Sequence, residues 1–149
     1  MLEAIKGRRS IRKFTSQDIP DTIINQIMEM GTLAPSGLNN QPWKFVVVKN
    51  RELLEELSAQ TKYSHIIQNA PVCIAVFLDN AESYHRVKDI QAIGACIQNM
   101  LLTIHHLGLG GVWLGEILNN KEAVEKILEV SGNLELMAVL AFGYPAEQK

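Results

Sequence analysis

Arg8-Arg9-Ser10-Ile11-Arg12-Lys13-Phe14 concentrates the most distinctive side-chain chemistry in this chain. In an extended segment, side chains alternate faces, so Arg8, Ser10 and Arg12 point one way. Two planar, permanently charged guanidinium groups with a hydroxyl between them make an anion cradle. A solvated basic face is the other reading, and these residues alone leave both open. A nucleic-acid arm would want aromatic platforms, and none accompanies the cluster. The second stretch is Ala34-Pro35-Ser36-Gly37-Leu38-Asn39-Asn40-Gln41-Pro42-Trp43. Its small residues and amides can approach a flat ligand closely and hydrogen-bond its polar ring edges. It reads equally as a helix-to-strand connection with Trp43 in the core.

The elements that would position these stretches follow from periodicity. A short helix around Leu2 and Ile5 ends near Gly7, residues 8–14 are extended, and 16–20 form a turn. Ile23, Ile24, Ile27, Met28 and Leu33 recur at helical spacing until Pro35 stops the helix. Residues 43–48 (WKFVVV) and 71–78 (PVCIAVFL) read as buried strands, with the charged helix RELLEELS between them and residues 60–69 unassigned. A long helix over 89–107 ends at Gly108. A third strand covers 112–114, a helix runs from Asn120 to Glu129, and a fourth strand covers 134–142. This order predicts a single domain over residues 1–149 of the α+β (α/β-like) class, with a central mixed four-stranded sheet flanked by helices. The helix at 89–107 is apolar nearly all round, which requires cover on every side. Its own neighbours or a second copy of the chain could supply that cover; a homodimer is the preferred reading.

Composition narrows the partners. The 149 residues carry a net charge of −2, with 47% hydrophobic and 20% charged residues, the balance of an ordinary globular protein. Bulk attraction to nucleic acid or to an anionic membrane is not expected. No apolar run approaches membrane-spanning length. Cys73 and Cys96 sit in apolar stretches without a CxxC spacing, which suits buried free thiols and a cytoplasmic setting.

Weaker signals are read structurally. Gly108-Leu109-Gly110-Gly111 lacks the third glycine of a dinucleotide fingerprint, since Trp113 stands there. His65, His85, His105 and His106 show no metal-ligand spacing. Ser10 and Ser36 lack a nucleophile-elbow context. Glu116 is noted as a polar group that could face a ligand, although a surface or capping role suits it better.

Taken together, RRSIRKF, a helix ending LAPSG and then NNQPWKFVVV resemble the nitroreductase family of FMN-dependent oxidoreductases. Ala70-Pro71 before the second strand, GLGGVWLG (108–115) and FGYP (142–145) extend the resemblance over nearly the whole chain. The resemblance implies a nitroreductase-like fold and a homodimer with flavin at the subunit interface. Arg8, Arg9 and Ser10 would bind the FMN phosphate and ribityl hydroxyls, with Arg12 near the pyrimidine edge. There a fixed cation stabilises the negative charge of reduced flavin. Pro35, Ser36, Gly37 and Asn39 would be laid against the same flavin by the second subunit. Leu114 and Gly115 would turn backbone N–H groups toward its N5–O4 side.

The implied reaction is hydride transfer from NAD(P)H to flavin N5, then to a nitroaromatic, quinone or similar acceptor in a ping-pong cycle. No side chain need act as a catalytic acid or base. A flavin-binding module with little turnover is the alternative. It is motivated by a C-terminus that offers only Lys149 to the phosphate, and by the expected absence of the lid and long C-terminal arm of larger members.

Overall fold

Every side chain of Val72–Asp79 (β2) is buried, as a continuous apolar run demands of a strand covered on both faces. In this computed structural model, which describes residues 1–149, β2 lies between β1 (Trp43–Val48) and β4 (Leu134–Gly143). Strand β3 (Gly110–Leu114) lies beyond β4, giving the order β1-β2-β4-β3. Trp43 is opposite Leu78, Val72 opposite Phe142 and Gly110 opposite Gly143.

The sheet expected to be mixed has antiparallel ladders only. The reason is topological. A helical crossover carries the chain from β2 to β3, and those two strands do run the same way. However, β4 is inserted between them and pairs antiparallel with both. Parallel pairing survives only as an isolated bridge between Ser10 and Gly111.

Alternation along β2 builds two cores. Val72, Ile74, Val76 and Leu78 face α2 (Asp21–Thr32) and α5 (Arg86–His106). Cys73, Ala75 and Phe77 face α3 (Arg51–Ser58), α4 (Ser64–Asn69) and α6 (Lys121–Ile127). A bulge leaves Met137 as the extra residue, between Ala138 opposite Val76 and Leu136 opposite Phe77. Helices α2 and α5 approach at Gly31, where a Cβ would lie 2.7 Å from Met100 Cγ.

Helix α5 has 21 residues and a length of about 30 Å. It begins at Arg86 because the buried Asp89 carboxylate, inside its first turn, accepts the backbone N–H groups of Tyr84 and His85 at 3.1 and 3.0 Å. Ile93, Cys96, Ile97, Met100 and Ile104 are buried. Val87 and Ile90 remain 61% and 39% exposed, and Gly94, Ala95 and Leu102 are half-exposed. One face of this apolar helix is therefore left open by the chain's own packing.

Two segments differ from the periodicity reading, and α5 begins at Arg86 rather than at residue 89, while residues 8–14 are extended as expected. The unassigned segment 60–69 contains α4. The helix expected from Asn120 starts as a 3-10 turn at Glu116–Asn120 and continues as α6. Residues 8–14 follow α1 (Leu2–Gly7) and are extended without forming a strand, tied down by bridges at Ser10 and Phe14. The C-terminal segment pairs with them: Thr15 N donates to Tyr144 O and Ala146 N to Lys13 O, both at 2.9 Å. No helix is long and apolar enough to cross a membrane.

Candidate functional site

The basic ribbon is held against the edge of β3 by Ile11, whose N–H donates to Gly111 O at 3.1 Å. Ile11 also packs directly on Gly110, where an added Cβ would lie 2.7 Å from its side chain. With that register set, alternation sends neighbouring arginines to different places. Arg9 and Ile11 line a groove of about 220 Å³ with His105, Glu147 and Lys149. Arg12 instead enters a cleft of about 180 Å³ with Tyr63, Trp113, Leu114, Gly115 and Glu116. Arg8 and Ser10 are half-buried.

The ribbon's charges are nearly uncompensated. Arg8, Arg9 and Arg12 make no ion pair with any carboxylate. Arg9 Nη1 braces the turn by donating to Lys6 O and Arg8 O at 2.7 and 2.9 Å. The nearby acid, Glu147, accepts the Arg12 backbone N–H at 2.7 Å and pairs with Lys149 at 3.5 Å. That backbone hydrogen bond holds its carboxyl below the usual range, ahead of the opposing desolvation and the Lys149 charge. Lys149 Nζ donates to Ser10 O at 3.0 Å, so the one late cation available to the ribbon does reach it.

In the cleft, Gly115 is exposed, a Cβ there would meet nothing within 4 Å, and its N–H has no acceptor in the chain. The backbone thus offers an open donor at the end of β3. Glu116 forms one wall: its carboxylate accepts Thr61 Oγ1 at 2.5 Å and the Lys62 N–H at 3.1 Å. The Thr61 hydrogen bond leads the effects that hold this carboxyl below its ordinary range. The structural role expected for Glu116 and its place in the cleft are thus compatible. Tyr63 and Trp113 escaped the sequence reading, Tyr63 because it lies in the unassigned segment. Trp113 could have been found: it alternates outward between buried Val112 and Leu114, and at 42% exposure it is an aromatic with no core to fill.

The second stretch is a strained bend. Leu38, Asn39 and Gln41 all have positive φ, near 55°, 56° and 48°. For a leucine this conformation costs about 1–2 kcal/mol, and it persists because the surroundings over-determine it. Ser36 Oγ accepts the Gln41 N–H at 3.0 Å, and Asn40 Nδ2 donates to Asp89 Oδ1 at 2.8 Å. Asp89 also accepts Ser83 Oγ at 2.7 Å. Burial alone would raise its pKa, but the combined hydrogen bonds, led by Ser83, outweigh that and bring it below the ordinary value. Pro35, Ser36 and Gly37 thereby line a separate groove of about 320 Å³ with Tyr84, Lys88 and Gln91. Asn39, also exposed, bonds Gln41 Nε2 through its Oδ1 at 3.0 Å.

One chain does not bring these groups together. The bend sits by the first half of α5, at Lys88–Ala95, while the Arg9 groove sits at His105. At 1.5 Å per residue, ten to seventeen residues of helix separate them by about 15–25 Å. Within one chain the two groups therefore line separate grooves.

The sequence profile of the Nitroreductase family matches residues 5–62 and 54–144 in two overlapping stretches. The chain belongs to this family. Among related proteins, a provisionally named NADH dehydrogenase/NAD(P)H nitroreductase of Methanothermobacter thermautotrophicus is 36% identical over 149 residues, covering 99% of this chain and 78% of the relative. A nitroreductase of Desulfovibrio desulfuricans, solved in complex with FMN, superposes with a TM-score of 0.95 at 46% identity, covering 98% of this chain and 86% of the other. The NADPH:FMN oxidoreductase of Vibrio harveyi, solved with NAD+, superposes with a TM-score of 0.90 at 26% identity, covering 98% and 69%.

Proposed function

We propose that the chain is an FMN-dependent NAD(P)H oxidoreductase that works as a homodimer, each flavin held between the ribbon of one protomer and the bend of its partner. The observation that carries this reading is the division of the candidate residues into two groups set apart along α5, together with the open apolar face of that helix. Pairing two copies through Val87, Ile90 and Gly94 would cover that face.

The residues fit the cofactor by their chemistry. Arg8, Arg9 and Ser10 would hold the phosphate and ribityl hydroxyls, because unpaired guanidinium groups and a hydroxyl suit a dianion and a polyol. Lys149 adds a cation on the same side through its contact with Ser10. Arg12 would place its charge beside the pyrimidine edge, and the Gly115 N–H, next to Leu114, would donate to the polar rim of the ring system. Pro35, Ser36, Gly37 and Asn39 of the partner would close the other side, held rigid by their link to Asp89. When bound, FMN would supply the redox chemistry, hydride transfer at N5 from NAD(P)H to a nitroaromatic, quinone or similar acceptor in a ping-pong cycle. The chain's part is to bind, orient and electrostatically tune, with no obligatory acid or base.

The test is the visible spectrum of the purified protein, titrated without oxygen with NADH and then NADPH. Bleaching of a yellow dimer supports the proposal, and no turnover by fully loaded dimer with a quinone would favour the binding module. Arg8→Ala should leave the protein largely colourless; unchanged flavin stoichiometry in that variant would overturn the phosphate assignment.

A further inference from the structure

Lys88 and Tyr84 belong to none of the roles above, yet they share the groove of Ser36 and Gly37. Lys88 Nζ sits 5.5 Å from the centroid of the Tyr84 ring and forms no ion pair. The groove has no acidic lining residue, although Asp and Glu outnumber Lys and Arg by 16 to 14 in the whole chain. Its polar side chains are all able to donate: the Lys88 ammonium, the Tyr84 hydroxyl, the Gln91 amide and the Ser36 hydroxyl. The oxygen of that last group accepts from Gln41, and its own proton has no acceptor within the chain.

The adjoining carboxylate in sequence, Asp89, is engaged by Asn40, Ser83 and the N–H groups of Tyr84 and His85. Those bonds also fix the backbone that carries Tyr84. The ring packs so closely on Gly37 that any Cβ there would overlap it. Tyr84 and Ser36 are thus held in place before any ligand arrives, which reduces the ordering cost of binding.

We propose that Lys88, backed by Tyr84, forms an anion subsite beside the bend, taking a carboxylate or phosphate group of the molecule that reacts there. This rests on the oxidoreductase reading for its location and deepens it by naming a charge class of substrate. Two sources fit the same chemistry: an anionic acceptor, or the pyrophosphate of the hydride donor. A cation stacked on an aromatic face keeps its donors free on the outer side.

The experiment is isothermal titration calorimetry on the FMN-loaded wild type, Lys88→Ala and Lys88→Arg. The probes are 4-nitrobenzoate against neutral 4-nitrobenzamide, and NAD+ against nicotinamide. Lys88→Ala should raise the Kd of an anionic probe by about threefold to tenfold, with the neutral partner unchanged within twofold, while Lys88→Arg restores it. The difference should shrink as salt is added. A response with nitrobenzoate alone assigns the subsite to the acceptor, and one with NAD+ alone assigns it to the donor. An unchanged anion-to-neutral ratio for both pairs, or loss of FMN from Lys88→Ala, would overturn the proposal. Heat of binding needs no turnover, so failure to oxidise NAD(P)H would sink the oxidoreductase reading separately.

Discussion

Gly110→Ala tests how the arginine ribbon is positioned. An added Cβ would stand 2.7 Å from Ile11 Cβ and Cγ2 and 2.8 Å from Cγ1. Carbon atoms pack best at about 3.5–4.0 Å, so the shortfall is about 1 Å. Gly110 cannot retreat, because it is locked opposite Gly143 in the ladder, and Gly143 is itself packed on Pro71 and Phe14. Ile11 is β-branched and stiff, so it cannot swing aside. The ribbon must move instead, and a shift of about 1 Å would break the 3.1 Å bond from Ile11 N to Gly111 O.

Overpacking of this kind costs about 1–3 kcal/mol. If the apo protein relieves it by releasing the ribbon, FMN must restore the docking when it binds. Its Kd then rises about fivefold to 150-fold. Flavin fluorescence titration measures the affinity, and a thermal melt of the apo protein measures where the strain went. The expected result is weakened FMN binding with an apo Tm within a few degrees of wild type. A Tm lowered in proportion to the full cost, with FMN affinity intact, would refute the reasoning and place the strain in the sheet.

Other predictions concern charge and burial. Arg12→Ala should make the bound flavin harder to reduce: loss of about 1 kcal/mol of interaction with a partly solvated cation lowers the midpoint by about 20 mV, readable by spectroelectrochemistry. Glu135, bonded to Arg86 at 2.7 Å and Lys121 at 2.9 Å, has its carboxyl drawn down to about 2, chiefly by Arg86. Its stabilisation is therefore complete above the ordinary value of 4.5 and is lost as pH falls from there toward 2. Allowing for the exposure of Arg86, wild type should lose on the order of 2 kcal/mol more than Glu135→Gln across that window, measured by urea melts. Burial pushes the Cys73 and Cys96 thiols up to about 12, so neither should label with a thiol reagent at pH 8 until the protein is unfolded. Fast labelling of native protein would contradict the packing described.

Legibility in the sequence followed the range of the forces involved. The apolar runs of β2 and β4 and the periodicity of α2 and α5 announce themselves, because burial on one or two faces dictates residue type along the element. Strand order does not, since nothing local in residues 134–143 says that β4 will insert between β2 and β3. That is why a parallel pairing was expected where antiparallel ladders form. The ribbon shows the same limit. Its alternation was readable, and it does separate Arg9 from Arg12, but the side each faces depends on the Ile11–Gly110 contact, a hundred positions away.

Tyr84 and Lys88 were not legible as site residues. They gain meaning only when Asp89 folds the start of α5 against the bend. The start of α5 escapes the periodicity for a related reason: the boundary is set by a carboxylate reaching back to Tyr84 and His85, outside the apolar pattern.

The most direct test of a flavin site shared between two chains is complementation in a purified mixed dimer. One protomer carries Arg8→Ala and Arg12→Ala, and its differently tagged partner carries Gly37→Trp, which spoils the bend. Each variant alone should bind little FMN. In the mixed dimer, the intact ribbon of one protomer meets the intact bend of the other, so the account predicts one tightly bound FMN per dimer. A mixed dimer that holds no more FMN than either parent would mean that ribbon and bend of the same chain serve one site, and would contradict it.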